Sequence, residues 1–396
     1  MGKLIVHQER VQDIAALIKI CPFGAMEDKA GKIEINAACR LCKLCVKRGK
    51  GVFEFVEETT TGVDKSAWRG VTVYVDHVDG KIHPVTYELI GKARELATKI
   101  NQPVYAVFLG EGINHKAQEI LHYGVDKVYV CDKKELHGFN IENYATAFEA
   151  FINKVKPAVV LVGATPVGRQ LAPRVAAHFH TGLTADCTVL DIHENTDLVQ
   201  IRPAFGGNIM AEILTPNHRP QMATVRYKIM DAPRRSEEIS GSIEPLELDE
   251  AKFTSKVEVL SVTKKPCEVG IENADVLIVA GRGVKKKEDL RLIRELAEVL
   301  NGNFACTRPL VECGWLEPKR QIGLSGRTVR PKLIITCGVS GSVQFVAGME
   351  HSEKIFAINS DPKASIFKVA NYAVVGDLYE IIPKLIEKIK SGRGIA

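Results

Sequence analysis

The sequence predicts an α/β protein built on parallel sheets, and its last third carries the clearest pattern. Residues 276–280 form an unbroken apolar run that leads into Gly281-Arg282-Gly283, and a helical pattern follows from Glu288 to Leu300. An unbroken apolar run is typical of a strand buried on both faces, as strands of parallel sheets are. The glycines allow the backbone of this turn to approach another group closely.

Three further apolar runs repeat this pattern and predict one parallel sheet. Ligands of open α/β sheets bind beyond the carboxyl ends of the strands, where helix N-termini offer unpaired N–H groups to anions. We therefore predict a nucleotide-cofactor cleft at these ends. The alternative is that the glycines only form turns and that no ligand binds there. The strands are predicted at 276–280, 333–337, 355–358 and 372–375, with Arg282, Ser340, Asn359 and Asp377 at their ends and a helix near Val343.

A second α/β domain is predicted upstream, because apolar runs again alternate with helical patterns. Such alternation indicates right-handed crossovers and a parallel sheet. Shorter runs between Asp186 and Arg226 predict added antiparallel strands. The polar stretch 233–250 is interpreted as an interdomain linker, and a crossing strand is predicted near 256–260. Upstream strands are predicted at 71–75, 104–109, 127–130 and 158–162, with helices after His83-Pro84 and up to Ala177.

The composition is that of an ordinary globular protein. The 396 residues are 45% hydrophobic and 26% charged, and the formal net charge of +5 is mild for this length. No apolar run approaches the ~20 residues of a membrane span, and the N-terminus lacks a signal-peptide pattern. We expect a cytoplasmic protein that binds neither nucleic acid nor membrane.

The first sixty residues carry a cysteine pattern typical of iron–sulfur proteins. Cys39-Arg-Leu-Cys42-Lys-Leu-Cys45 has the C-x2-C-x2-C spacing of bacterial ferredoxins, and Cys21-Pro22 supplies the fourth cysteine followed by proline. Between them, 28–31 predicts a turn and 32–35 a short strand. These four cysteines suit one [4Fe–4S] cluster, and a four-cysteine zinc site is the alternative. The segment resembles half of a bacterial two-cluster ferredoxin.

Basic residues surround this motif, and two interpretations remain open. They could form a solvated face, or a collar that raises the encounter rate with an acidic redox partner. The residues are Arg40, Lys43, Lys47, Arg48 and Lys50.

The sequence contains no catalytic constellation. Its histidines lack metal-ligand spacing, and Gly338-Val-Ser-Gly-Ser342 departs from the G-x-S-x-G elbow because serine closes it. Electron transfer requires only that cofactors be held and tuned. The absence of catalytic residues is therefore consistent with a redox carrier.

From Trp68 to the C-terminus, the chain resembles the α subunit of an electron-transfer flavoprotein. This resemblance implies Rossmann-like domains at 68–250 and 256–396, and the resemblance of the first sixty residues to a ferredoxin adds a ferredoxin-like α+β head at 1–60. In the first Rossmann-like domain it rests on 84–94, 168–174, 181–186, 202–208 and 219–226. In the second it rests on 281–283, 307–308, 323–326, 338–344, 357–359 and 376–378.

The resemblance implies one FAD in the last domain. Arg308 would lie over the flavin and favour its anionic, reduced forms, and Ser325 would hydrogen-bond near the ring nitrogen N5. Arginine independently suits phosphate or reduced flavin, because its fork is planar and permanently charged. The FAD-binding residues implied are Arg282, Thr307, Arg308, Ile322, Gly323, Leu324, Ser325, Ser340, Gly341, Ser342, Val343, Gln344, Phe345, Asn359, Asp377 and Leu378.

Three positions, at two places in the chain, depart from the family pattern. The family commonly has Gln-Thr where this chain has Leu324-Ser325, and His where it has Phe345. The missing histidine removes a donor near the flavin's pyrimidine edge, so the flavin should be anchored similarly but tuned differently.

The ferredoxin-like head resembles that of electron-bifurcating complexes of anaerobes. The resemblance implies a partner β subunit with a second FAD and NADH, a flavin dehydrogenase such as an enoyl-CoA reductase or a lactate dehydrogenase, and ferredoxin. The FAD domain would swing on the linker at 233–250. The alternative is a non-bifurcating carrier between acyl-CoA dehydrogenases and a quinone reductase, with a structural cluster.

Overall fold

A computed structural model describes residues 2–36, 38–57, 63–204, 209–257, 259–263 and 270–391. The chain divides into two compact units, 1–63 and 64–396. Because both predicted Rossmann-like domains lie in the second unit, the predicted boundary between 250 and 256 stays a prediction.

The first unit is a small α+β fold around a core that contains Met26, Ile33 and Phe53. The predicted turn and strand are confirmed: Ala30 and Gly31 have φ of 53° and 78°, and Asp28 accepts from the Gly31 N–H at 2.9 Å. Its elements are β1 (Gly2–Val6), α1 (Ile14–Ile18), β2 (Met26–Lys29), β3 (Lys32–Ile35), α2 (Leu44–Arg48) and β4 (Phe53–Glu57), with β1 antiparallel to β4 and β2 to β3.

The second unit begins with alternating strands and helices. The predicted amphipathic face of α3 is confirmed, because Leu89, Ala93 and Leu96 are fully buried. The elements are β5 (Val71–Tyr74), β6 (His77–Val78), β7 (Lys81–Ile82), α3 (Val85–Ile100), β8 (Val104–Gly110), α4 (Asn114–Leu121), β9 (Lys127–Asp132), α5 (Ile141–Val155), β10 (Val159–Gly163), α6 (Gly168–His178), β11 (Leu183–Cys187), β12 (Val189–Ile192), β13 (Leu198–Ala204), β14 (Ile209–Ile213), β15 (Gln221–Val225) and β16 (Ser242–Pro245).

These strands form the predicted parallel sheet, a separate antiparallel sheet and the short antiparallel pair β6-β7. The parallel sheet has the order β11-β15-β10-β5-β8-β9-β16, and the antiparallel sheet has the order β12-β13-β14. The prediction of antiparallel strands for 186–226 is therefore only partly right. Gln221–Val225 is an apolar-rich, fully buried strand that pairs in parallel with β10, as does β11 with β15.

The predicted linker at 233–250 is wrong in part, because this stretch packs on the first sheet. Ser242–Pro245 pairs in parallel with β9 as an edge strand, and Ser236 donates its N–H to the His122 carbonyl at 2.8 Å. An edge strand with one solvated side can be polar and end in proline, so its sequence resembles a linker.

The crossing strand predicted at 256–260 is also absent from the described residues of that stretch, which exclude 258. Instead, the chain remains attached to α5. Glu142 accepts from the Lys256 N–H at 2.9 Å, and Asn140 donates to the Val257 carbonyl at 2.9 Å.

The last part of the chain forms the second predicted parallel sheet, with the order β18-β17-β19-β20-β21. The predicted strands at 276–280, 333–337 and 372–375 are confirmed, whereas β18 was missed, because its four residues begin with Asn303 and only the last two are buried. The elements are β17 (Val276–Ala280), α7 (Leu290–Val299), β18 (Asn303–Cys306), α8 (Arg308–Glu312), β19 (Leu333–Cys337), α9 (Val343–Val346), β20 (Lys354–Asn359), β21 (Tyr372–Val375) and α10 (Leu378–Lys390).

The glycine turns after β17 and β19 pack directly against each other. The Gly283 N–H donates to the Gly338 carbonyl at 2.9 Å, and a Cβ on Gly281 would lie 2.3 Å from that carbonyl oxygen. These glycines therefore allow the backbones of the two turns to approach each other closely. No helix among the described residues is long and apolar enough to cross a membrane.

Replacing Gly281 by alanine tests this turn contact. We expect the variant to lose about 1–3 kcal/mol of stability, because the new Cβ meets backbone atoms that must shift. The midpoint of thermal unfolding measures the loss. Gly270→Ala is the matched control, because its Cβ would meet only the flexible end of the Glu272 side chain. Equal midpoints for the two variants would contradict this account of the turn.

Candidate functional site

A cavity of about 1080 Å³, including the open solvent at its mouth, lies at the carboxyl ends of β17, β18 and β19. This is where open α/β sheets bind their ligands. Most of the residues predicted for FAD line it: Arg282, Thr307, Arg308, Ile322, Gly323, Leu324, Ser325, Ser340, Ser342, Gln344 and Phe345. We call this cavity the cleft.

The other predicted residues lie around the cleft and are not part of its lining. Asn359 donates to the Val339 carbonyl at 2.7 Å, and Asp377 caps α10 by accepting from the Tyr379 N–H at 2.9 Å. Gly341 packs against Ile366, where a Cβ would lie 2.2 Å from the backbone nitrogen. Val343 is exposed and Leu378 is buried in the core. Asn359 and Gly341 therefore support the turn after β19, whereas Asp377 stabilises the start of α10.

Two arginines give the cleft its positive charge. Arg282 is exposed within the first glycine turn, and Arg308 lies in the first turn of α8. The Arg308 Nε donates to Glu312 at 2.7 Å, and both side chains are more than half exposed. Sequence reasoning missed Glu312, although its i, i+4 spacing from Arg308 on a helix is a readable signal.

The loop from Gln321 to Gly326 forms one wall of the cleft, and its backbone is held on several sides. The Ile322 N–H donates to the Cys306 carbonyl at 3.0 Å, and the Leu324 N–H donates to the Gln344 carbonyl at 2.9 Å. A Cβ on Gly323, whose φ is 133°, would lie 2.8 Å from the same Gln344 oxygen. This wall therefore has a fixed position relative to α9.

Three more residues of the lining escaped prediction: Pro309, Gln321 and Val339. Gln321 is buried, and its Nε2 donates to the Ser325 hydroxyl oxygen at 2.8 Å. Its only sequence signal is that a polar residue directly precedes the apolar Ile-Gly pair. Phe345, which stands in place of the family histidine, is 4% exposed and also belongs to the core beneath the cleft.

A second cavity separates this loop from the first sheet, and Ser325 lines both cavities. Arg226, at the end of β15, donates to the Leu324 carbonyl at 2.5 Å and to Asp186 at 3.2 Å. Asp186 also accepts from Arg169 at 3.0 Å. Arg226 therefore connects the first sheet to the wall of the cleft.

The chain segment that follows Arg226 is held by a buried carboxylate. Glu88 on α3 is 7% exposed and accepts from the Lys228 N–H at 3.0 Å. Burial raises the pKa of Glu88 to about 7 from its ordinary value of 4.5, although backbone N–H groups of Lys228 and Met230 donate to it. The desolvation of the carboxylate therefore outweighs its two backbone hydrogen bonds.

The four cysteines of the first unit line one cavity: Cys21, Cys39, Cys42 and Cys45. Leu41 and Lys43 adopt left-handed φ values of 50° and 58°, which turn the chain around the thiols. Burial raises the pKa of the Cys45 thiol, and the neighbouring Cys39 and Cys42 raise it further. Across the described ranges, however, no group of three or more His, Cys, Asp or Glu residues is arranged to hold a metal ion. The cluster stays a prediction.

Two residues of the basic collar pack on aromatic rings beside these cysteines. The Arg40 guanidinium lies 4.8 Å from the Phe23 ring centroid, and the Lys43 ammonium lies 3.8 Å from that of Phe55. Most of the cysteines outside this motif that the structure describes are core residues. Cys131, Cys187, Cys306 and Cys337 are buried and Cys313 is exposed, whereas Cys267 lies outside the described residues.

Two family models match the chain. The electron transfer flavoprotein domain matches residues 71–251, and the electron transfer flavoprotein FAD-binding domain matches residues 270–350. The second match contains the glycine turns and the loop that form the cleft.

Similar curated proteins match over most of the chain. A lactate dehydrogenase (NAD(+),ferredoxin) subunit LctC of Acetobacterium woodii is 56% identical over 98% of this chain and 93% of its own length. An electron transfer flavoprotein subunit alpha of Thermoanaerobacterium thermosaccharolyticum is 43% identical over 82% of this chain and 98% of its own. An acryloyl-CoA reductase electron transfer subunit beta of Anaerotignum propionicum is 36% identical over 83% and 98%.

The buried Glu88 predicts a pH dependence of stability. Between pH 4.5 and about 7 the folded chain keeps a proton that the unfolded chain releases, so stability falls as the pH rises through this window. Glu88→Gln has no proton to lose. Between pH 5 and pH 8, we expect the free energy of unfolding of this variant to rise by up to about 3 kcal/mol relative to that of the wild type, as measured by urea unfolding.

Glu142→Gln is the control, and its expected dependence has the opposite sign. The Lys256 N–H and the Ser255 hydroxyl lower the pKa of Glu142, so its contribution is present above the ordinary glutamate range and is lost as the pH falls. The stability of the wild type relative to this variant should therefore increase as the pH rises. A parallel response of both variants would refute the assignment to Glu88.

Proposed function

The chain belongs to the electron-transfer flavoprotein α-subunit family, and we propose that it serves in an electron-bifurcating complex as the subunit that carries FAD and one [4Fe–4S] cluster. Proteins of this family bind FAD and transfer electrons. The observation that carries the proposal is the extent of one match. The similarity to the NAD(+),ferredoxin lactate dehydrogenase subunit covers 98% of this chain, so it must include most of the four-cysteine unit.

The cleft fits FAD by the chemistry of its donors. Arg282 and Arg308 offer guanidinium forks, and Thr307, Ser340 and Ser342 offer hydroxyl groups. FAD, when bound, supplies the electron-transfer chemistry that the side chains themselves lack. In this proposal Arg308 would lie over the flavin, and Ser325 would donate near its ring nitrogen N5. Asn359, Asp377 and the glycine turns support the ribityl, pyrophosphate and adenosine parts.

Arg308 can bind an anionic group without losing its place on α8. Its Nε donates to Glu312 at 2.7 Å, and the guanidinium carries four further N–H donors that can serve a ligand. Glu312 thereby orients the fork toward the cleft that both residues line. Negative charge that develops on a ligand there is stabilised by this permanent cation.

The first unit fits an iron–sulfur cluster by its donor set. The four thiols line a single cavity, and the Ala25 N–H donates to the Cys21 sulfur at 3.4 Å. Thiolates are the ligands that iron–sulfur clusters require, and N–H donors to sulfur tune their potential. A [4Fe–4S] cluster held by Cys21, Cys39, Cys42 and Cys45 would supply one-electron transfer at low potential.

The proposed role of the subunit is to carry electrons away from a divided pair. A partner β subunit would bind NADH and a second FAD, and that FAD would take the hydride from NADH and release its two electrons singly. One would pass to the FAD of this chain and on to a flavin dehydrogenase of the lactate or acyl-CoA type, and the other would leave toward ferredoxin through the proposed cluster. The dehydrogenase classes are those of the two relatives named above. We place the complex in the cytoplasm of an anaerobe.

The competing function is a non-bifurcating carrier that passes electrons from acyl-CoA dehydrogenases to a quinone reductase. Relatives described only as electron transfer flavoprotein subunit alpha favour it, since one of them covers 82% of this chain. NADH-driven reduction of ferredoxin by the purified complex distinguishes the two, because only bifurcation produces it.

Cofactor content tests the proposed cluster. We expect about four irons, four sulfides and one FAD per chain in protein purified without oxygen. Cys42→Ala should lose iron, sulfide and ferredoxin reduction and keep its FAD, because the thiols lie outside the unit that contains the cleft. Cys313→Ala, at an exposed cysteine of the other unit, should keep both cofactors. Zinc without iron would overturn the cluster.

Arg308 tests the placement of FAD. Arg308→Gln should bind FAD about 10- to 100-fold more weakly, because a charge-assisted hydrogen bond to the cofactor is lost. Fluorescence titration of the protein stripped of FAD measures this. Arg291→Gln, at an exposed arginine of α7 outside the cleft lining, should leave the affinity unchanged. Unchanged affinity in both variants would remove Arg308 from the site.

A further inference from the structure

Gln321 occupies a buried position in the wall of the cleft, and its backbone is fixed on both sides. Its carbonyl accepts from the Arg327 N–H at 2.7 Å, and its own N–H donates to the Pro318 carbonyl at 3.1 Å. A Cβ on Gly326 would lie 2.3 Å from the Gln321 carbonyl oxygen and 3.0 Å from its Cγ. The loop therefore closes tightly on Gln321, and its side chain has little freedom to leave Ser325.

The direction of the hydrogen bond between the two side chains matters. Gln321 Nε2 donates to Ser325 Oγ at 2.8 Å. A hydroxyl group has one hydrogen and two acceptor positions, so a serine that accepts from an amide keeps its hydrogen for another acceptor. Ser325 is exposed to the cleft, which it lines.

We propose that Gln321 is a positioning residue that holds the Ser325 hydroxyl as a hydrogen-bond donor toward the flavin in the cleft. The inference rests on the proposed function, in which Ser325 contacts the flavin. An amide oxygen facing Ser325 would take the hydroxyl hydrogen and leave the flavin facing a lone pair. The orientation of the Gln321 amide thereby decides whether Ser325 presents its hydroxyl hydrogen or an oxygen lone pair to the flavin.

A donor at this place stabilises the one-electron-reduced, anionic flavin (reduced FAD below) more than oxidised flavin, because the added electron puts negative charge on the ring while N5 still accepts a hydrogen bond. Loss of the orientation should therefore weaken the binding of reduced FAD relative to oxidised FAD. This change in the affinity ratio is a fall in the reduction potential of the bound cofactor. A residue that merely supported the fold would weaken both forms alike.

The experiment is a double-mutant cycle on the full chain with FAD bound. Gln321→Leu is made with Ser325 present and with Ser325→Ala, and the ratio of reduced to oxidised FAD affinity is obtained from redox titration of the bound cofactor. We expect the ratio to fall about 3- to 10-fold with Ser325 present, the size of one hydrogen bond. With Ser325→Ala it should change less than about 2-fold, because the two residues then no longer interact.

Gln321→Glu replaces the amide donor by an acceptor in a side chain of nearly the same size. A carboxylate only accepts, so it takes the Ser325 hydrogen and also adds a negative charge. The ratio should fall in both backgrounds, and further where Ser325 is present. Gln170→Leu, at an exposed glutamine of α6, is the control that should leave the ratio unchanged. Gln321→Met replaces the leucine variant if the latter fails to fold.

Equal falls for Gln321→Leu in the two backgrounds, or no fall with Ser325 present, would overturn the role of Gln321. Failure of the proposed function itself gives a different result. In that case Ser325→Ala alone leaves the ratio unchanged, or the wild type binds no FAD.

Discussion

The parallel pairing of β17 with β19 is the constraint on which the cleft depends. It places the turns after both strands at one edge of the sheet, where the Gly281 N–H donates to Cys337 and the Gly283 N–H to Gly338. Because these backbones touch, the side chains that leave the turns, Arg282 and Ser340, line one cavity. The wall formed by the loop from Gln321 to Gly326 depends on the same arrangement, since the Leu324 N–H donates to the Gln344 carbonyl in the helix after the second turn.

The sequence predicted the two parallel sheets well, because each of their long strands is an apolar run that ends at a glycine or a polar residue. The predictions were weakest at sheet edges. Ser242–Pro245 and Asn303–Cys306 are short strands with mixed burial, and edge strands lack the unbroken apolar pattern on which the prediction relied. The resemblance brought most of the cleft residues together, whereas Gln321 and Glu312 emerged only from their contacts.

Side-chain direction could not be read from the sequence, and it is what decides the chemistry of the cleft. Nothing in the sequence states that Gln321 donates to Ser325, because that contact depends on how the loop from Gln321 to Gly326 closes. The i, i+4 spacing of Arg308 and Glu312 permits their contact but does not state that the Arg308 Nε makes it. The thiols are a contrasting case, because their C-x2-C-x2-C spacing predicts that Cys39, Cys42 and Cys45 lie near one another, and all three line one cavity.

The attachment of the chain to α5 through Val257 has a consequence for how far the second sheet can travel. Asn140 holds the Val257 carbonyl, and Ile271 is already buried in the core of the second sheet. Residues 258–270 separate these anchors in the sequence, and a chain covers at most about 3.5 Å per residue. Any movement of the second sheet that keeps both contacts is therefore limited to a separation of roughly 50 Å between Val257 and Ile271.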